Sequence, residues 1–113
     1  MATINDNFFP VILNSEREDL TADGALSVEK YFSTVSVSAG ANMTLADGTV
    51  KGQLKKVVNI HSSGNCEITV TTPKVTDDKV IDINAQDAFV VLMWAGDGWT
   101  VLEHGATFAH ASS

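Results

Sequence analysis

The sequence predicts an all-β domain: a small antiparallel β-sandwich or barrel of about seven or eight short strands, preceded by an extended N-terminal arm. Three observations predict it. Apolar residues recur at every second position over several short runs, as half-buried strands require. Turn chemistry interrupts those runs every eight to twelve residues or so. Finally, no window carries the spacing of a long amphipathic helix, and "VILNSEREDL" offers one helical turn at most.

Taken in order, residues 1–24 stand apart as an N-terminal arm or first edge strand, residues 25–108 form the β domain, and residues 109–113 a short tail. The arm holds "FFPVIL", a strongly apolar run cut by Pro10 and followed by the polar "NSEREDLTADG". A proline denies its own nitrogen to a central ladder, so the run suits an edge or a segment lying against another surface. Phe8, Phe9, Pro10, Val11, Ile12 and Leu13 are therefore the candidate protein-interaction residues, and residues 4–13 are expected to touch an adjacent protomer or a larger shell.

In "YFSTVSVSA", Tyr31, Val35 and Val37 are predicted to share one face and Thr34, Ser36 and Ser38 the other. Gly40, Asp47-Gly48 and Gly52 supply the turns that follow. "LKKVVNIHS" places Leu54, Val58 and Ile60 inward, and "CEITVTT" does the same with Cys66, Ile68 and Val70. With "SSGN" between them, the two runs read as a hairpin. Pro73 ends the second run. "AFVVLMW", residues 88–94, is apolar on both faces and predicts a central strand covered on each side.

"WAGDGWTVLE" then poses a choice. Gly96 and Gly98 permit a tight reversal, Asp97 is a common turn residue, and Trp94 and Trp99 are placed to pair across the strands. A hairpin accounts for all of it. The alternative is a ligand loop walled by Trp94 and Trp99 with the Asp97 carboxylate between them, of the kind that would bind a sugar.

The chain has 113 residues, a formal net charge of −7 and one cysteine. Such acidity repels phosphate backbones, and Lys51, Lys55 and Lys56 are too few to reverse it, so no nucleic acid partner is expected. Cys66 alone permits no internal disulfide and is read as a buried, inert thiol. The N-terminus lacks the basic start of a signal peptide, and no run is long enough for a membrane helix. The expectation is a soluble protein made in a cytoplasm.

Searches for chemistry return nothing. His61, His104 and His110 have no partners at metal-ligand spacing. Asp77, Asp78, Asp82 and Asp87 cluster mildly, but "TDDKVIDINAQD" is no calcium loop. No nucleophile elbow, phosphate loop or dinucleotide fingerprint occurs. No catalytic, cofactor-binding or metal site is expected, and no enzymatic activity.

Between about residues 42 and 108, "DGTVKGQLKKVV", a Thr-Pro strand end, a "DA" strand and a "W…GWTVL" hairpin closing in "GAT" together resemble small virion structural proteins of tailed bacteriophages, especially those infecting cyanobacteria. That resemblance implies a non-enzymatic capsid decoration (cement) protein, or a small fibre or tail domain, with an all-β sandwich or barrel that assembles as a homotrimer. Its partners would be the major capsid protein and itself, and its location the capsid surface of the virion. The receptor- or glycan-binding module of a tail fibre or spike is the alternative. Residues 1–24 fall outside the resemblance.

Overall fold

The structure, a computed structural model, describes residues 17–105 and 108–111. The described residues form an all-β, sandwich-like fold with a single 3₁₀ turn at Thr76–Asp78. In chain order the strands are β1 (Glu18–Leu20), β2 (Gly24–Leu26), β3 (Phe32–Val35), β4 (Ala41–Leu45), β5 (Leu54–Asn59), β6 (Cys66–Val70), β7 (Val80–Ile83), β8 (Phe89–Trp94), β9 (Trp99–His104) and β10 (Phe108–Ala111). They make two five-stranded sheets, which we call A (β1-β3-β5-β8-β9) and B (β10-β7-β6-β4-β2).

The sheets are mixed rather than antiparallel. From β1 to β6 the chain crosses to the other sheet after every strand, so odd strands fall in A and even strands in B. Each return to a sheet runs in the same direction, and β1, β3 and β5 are parallel, as are β2, β4 and β6. Parallel neighbours need a crossover, and here the opposite sheet is the crossover. The last four strands close this coil with antiparallel pairs: β7 on β6, β8 on β5, β9 on β8 and β10 on β7.

This winding corrects the expected hairpin at residues 54–70. β5 lies in sheet A and β6 in sheet B, and "SSGN" is a corner between layers. Asn59 secures that corner: its Nδ2 donates to the carbonyls of Gly64 at 2.9 Å and Ile83 at 2.8 Å, and its Oδ1 accepts from the His61 N–H at 3.1 Å. Turn chemistry is local and does not say which sheet the next strand joins.

Sheet B supplies a fully apolar inner face from Met43, Leu45, Cys66, Ile68, Val70, Ile81 and Ile83, all buried. Cys66, Ile68 and Val70 thus point inward as the alternation predicts. Sheet A meets them with Val35, Val57, Val90, Leu92, Trp94 and Trp99. At about 25 cal/mol per Å² of apolar surface, this shared layer is the main stabilising contribution.

The β5 register is opposite to the expected one. Gln53, Lys55, Val57 and Asn59 are buried, whereas Leu54 and Val58 are half-buried on the other face and Ile60 is 44% exposed. In β3, Ser33, Thr34 and Val35 are all buried, so period two fails there as well. Thr34 is an outward residue whose hydroxyl donates to Asp19 Oδ1 at 2.5 Å, and β1 at the sheet edge supplies that partner. The central strand expected at residues 88–94 is β8, flanked by β5 and β9.

Candidate functional site

The β8–β9 connection is a hairpin. Trp94 pairs with Trp99 in register, and the Ala95 N–H donates to the Gly98 carbonyl at 2.8 Å. Gly96 sits at φ +98°, a conformation that L side chains rarely adopt, which explains the glycine. The indoles meet edge to face with centroids 5.5 Å apart.

Neither ring is presented to a ligand. Trp99 is fully buried, and its Nε1 donates to the Ala46 carbonyl at 2.8 Å. Trp94 is 7% exposed and packs so closely on Gly48 that a Cβ there would lie 2.4 Å from the indole Cγ. The Asp97 carboxylate accepts from Lys74 Nζ at 2.6 Å, and that hydrogen bond holds it below the ordinary aspartate range. Both indoles thus belong to the core, and the Asp97 carboxylate closes an ion pair with Lys74.

The other candidate groups are tied into the fold one by one. Burial pushes the Cys66 thiol up to about 12, with the charges of Asp82 and Glu67 adding to the effect, so the thiolate nucleophile is suppressed. His61 Nδ1 accepts from the Ser63 N–H at 3.1 Å. Asp78 is buried in the 3₁₀ turn, Asp82 lies on the outer face of sheet B, and Asp87 takes φ 71° in the turn before β8. Among the described residues no three His, Cys, Asp or Glu side chains come together as a metal site, and no helix is long and apolar enough to cross a membrane.

Sequence reasoning missed a buried polar clasp inside sheet A. Lys55, read as one of a small basic cluster with Lys51 and Lys56, is fully buried. Its Nζ donates to the carbonyls of Ser27 at 2.6 Å and Lys30 at 2.9 Å and to Ser33 Oγ at 2.6 Å, and lies 3.6 Å from Glu18 Oε1. The same Glu18 oxygen accepts from the Ser27 N–H at 3.0 Å and the Ser33 hydroxyl at 2.6 Å. Burial pushes the ammonium down to about 8, partly offset by the Glu18 charge. Burial also opposes the charge on Glu18, yet the Ser33 and Ser27 hydrogen bonds together with Lys55 hold that carboxyl below its usual range. Two residues earlier and also facing inward, Gln53 grips the 27–30 loop through the Val28 carbonyl and accepts from the Thr49 N–H at 2.8 Å. The signal for this clasp was the double lysine in an otherwise apolar run, where one of two adjacent strand residues must face inward.

The outer faces of the two sheets differ sharply. On sheet B the outward rows are Asn42, Glu67 and Asp82, and Ala25, Thr44, Thr69 and Val80. Beside them an open groove of about 320 Å³ is lined by Asn65, Asn84 and Gly40 among others. On sheet A the outward rows bring Phe32, Leu54, Val58, Phe89, Val91 and Met93 together. Lys56 crosses this face with its Nζ 5.0 Å from the Phe89 ring centroid. Gly105, just after β9, lies so close to the Phe89 ring that a Cβ there would come within 2.7 Å of it. The arm candidates Phe8, Phe9, Pro10, Val11, Ile12 and Leu13 lie outside the described residues.

The class defined by this arrangement is a two-sheet all-β chain whose outer faces differ, that of sheet A richer in large apolar side chains and that of sheet B mainly polar. No protein-family model matches the chain, and no curated protein is significantly similar to it.

Proposed function

We propose that the chain is a non-enzymatic structural protein of a tailed-phage virion: a capsid decoration (cement) protein that binds the major capsid protein at the outer capsid surface, stabilises the shell and acts as a homotrimer. The single observation that carries this reading is the two-faced construction. A face rich in Phe, Leu, Val and Met is suited to burial against a partner, whereas the mainly polar outer face of sheet B suits permanent contact with water. The resemblance over about residues 42–108 points the same way, as does the use of Lys55 and Cys66 inside the fold and of Asp97 in a surface ion pair. Repetition on a lattice then lets modest individual contacts add by avidity.

The test separates heads from tails after particle disruption and measures the protein in each fraction by mass spectrometry. The expected result is recovery with intact heads. Recovery with tails, or absence from purified particles, overturns the reading.

A further inference from the structure

We propose that Asp47 is a site of spontaneous modification, the aspartate that isomerises to isoaspartate, and that the fold selects it from three Asp-Gly pairs. The proposal is independent of any role in a virion.

The pairs are Asp23-Gly24, Asp47-Gly48 and Asp97-Gly98. The first two share the tripeptide Ala-Asp-Gly, so nearest-neighbour chemistry does not separate them. Glycine favours the reaction because no side chain shields its nitrogen or restricts its backbone. The Gly48 nitrogen attacks Cγ of the protonated Asp47 carboxyl group. An N–Cγ bond forms, and the N–H proton leaves with a carboxyl oxygen in one molecule of water. Water then opens the five-membered succinimide. Cleavage of the N–Cγ bond restores aspartate. Cleavage of the bond from nitrogen to the main-chain carbonyl carbon leaves the chain running through Cβ and Cγ, with the main-chain carbonyl now a free carboxylate. One water departs and one returns, so no oxidant or cofactor is needed.

Two of the pairs are held back from this reaction. Asp23 accepts from the Asn42 N–H at 2.9 Å, and Gly24 opens β2, in register with Met43 of β4. Asp97 accepts from Lys74 Nζ at 2.6 Å, a contact that keeps the carboxyl ionised. Gly98 is buried at the end of the β8–β9 hairpin, where its carbonyl accepts from the Ala95 N–H. In both pairs a carboxylate partner must be given up and the backbone must leave its place before the ring can close.

Asp47 meets neither obstacle. It is exposed, and residues 46–48 belong to no strand or hydrogen-bonded turn. Among the described residues nothing donates to its carboxylate and nothing accepts from the Gly48 N–H. Electrophile and nucleophile are both untied. The chain is nevertheless anchored on either side, since the Ala46 carbonyl accepts from Trp99 Nε1 and the Thr49 N–H donates to Gln53 Oε1. Isomerisation inserts one extra backbone atom between those anchors. It falls directly before Gly48, where a Cβ would already lie 2.4 Å from the Trp94 indole Cγ. The product therefore pushes Gly48 off that ring, and the edge-to-face pair of Trp94 and Trp99 registers the change.

The test ages the full-length folded protein in warm neutral buffer, with a parallel sample in denaturant, and maps isoaspartate by electron-transfer dissociation mass spectrometry. In the folded sample, isoaspartate at residue 47 should lead that at 23 and 97 by about tenfold or more, the rate equivalent of first breaking one hydrogen bond. In denaturant, residues 23 and 47 should advance together. The near-ultraviolet circular dichroism of the tryptophans should drift in the aged folded protein and hold steady in Asp47→Glu, which closes no five-membered ring. Isoaspartate appearing first at 23 or 97, or at none of the three, overturns the proposal. An equal lead for residue 47 in denaturant also overturns it, because local sequence would then make the choice. An equal drift in Asp47→Glu removes the coupling to the tryptophan pair.

Discussion

Sheets A and B share a core but solve opposite problems. Sheet B follows the common pattern, with Ile68, Val70, Ile81 and Ile83 inward and Asn42, Thr44, Glu67 and Asp82 outward. Sheet A inverts part of it: Ser33, Gln53, Lys55 and Asn59 point inward, while Phe32, Leu54, Val58 and Phe89 point outward. The lesson is that apolarity reports how many sides of a sheet are covered, not which side is the interior. Within sheet A the inward polar groups have a separate task, holding the 27–30 loop and β1 onto β3 and β5.

The largest expected effect comes from breaking that inner clasp. Lys55→Met leaves Glu18, Ser33 and two backbone carbonyls without their buried donor and should cost about 3–5 kcal/mol in denaturant unfolding. The clasp also has a pH signature. The folded ammonium titrates near 8, below the 10.5 of an unburied lysine. Between those values the unfolded chain holds a proton that the folded chain has lost, so stability gains from this group as pH rises through that window. The burial penalty is greatest below pH 8. Subtracting the Lys55→Met profile from that of the native protein should show this rise, and coincident profiles would refute it.

The next effect sharpens the contrast between the outer faces. On the proposal that this face is buried in a homotrimer, Met93→Lys should weaken self-association by about 1.5–3 kcal/mol, roughly ten- to a hundredfold in dissociation constant. Thr44→Lys, at the corresponding depth of sheet B, should change stability by no more than about 0.5 kcal/mol and leave self-association untouched. Sedimentation equilibrium on the two variants decides it. Equal effects on association would show that the faces are not functionally distinct.

The smallest effect lies on the outer face of sheet B. Glu67 stands directly opposite Asp82 across β6 and β7, a like-charged pair. Glu67→Lys should stabilise the fold by about 0.2–1 kcal/mol, with the gain shrinking at high salt. A salt-independent gain would point to a cause other than charge.

These contrasts also explain what was legible in the sequence. The β8–β9 hairpin could be read because Gly96, Asp97 and Gly98 encode a local reversal, and Cys66, Ile68 and Val70 could be read because sheet B has a single apolar face. The β5 register could not. With apolar residues at Leu54 and Val58 on one face and Val57 on the other, hydrophobicity did not distinguish the two, and the burial of Lys55 depends on Ser27, Lys30 and Glu18, which are remote in sequence. The crossing between sheets at residues 60–65 was hidden for a related reason, since its anchor is the contact of Asn59 with Ile83 on a later strand. The outer face of sheet A was not visible in the sequence either, because it emerges only when β3, β5 and β8 are laid side by side.

The alternation of early strands between layers has a consequence for how this chain comes to be folded at all. None of β1 to β6 is paired with the strand before or after it in this run, so no early hairpin forms a local nucleus. The tight β8–β9 hairpin closes by itself, yet β8 must still find β5 across some thirty intervening residues. Loop-closure entropy is therefore paid before most contacts form, and folding belongs in the slow, milliseconds-to-seconds range of β proteins dominated by distant pairings. On the ribosome the first two-thirds of the chain waits for the last third. The outer face of sheet A is completed by Phe89, Val91 and Met93 only at that late step.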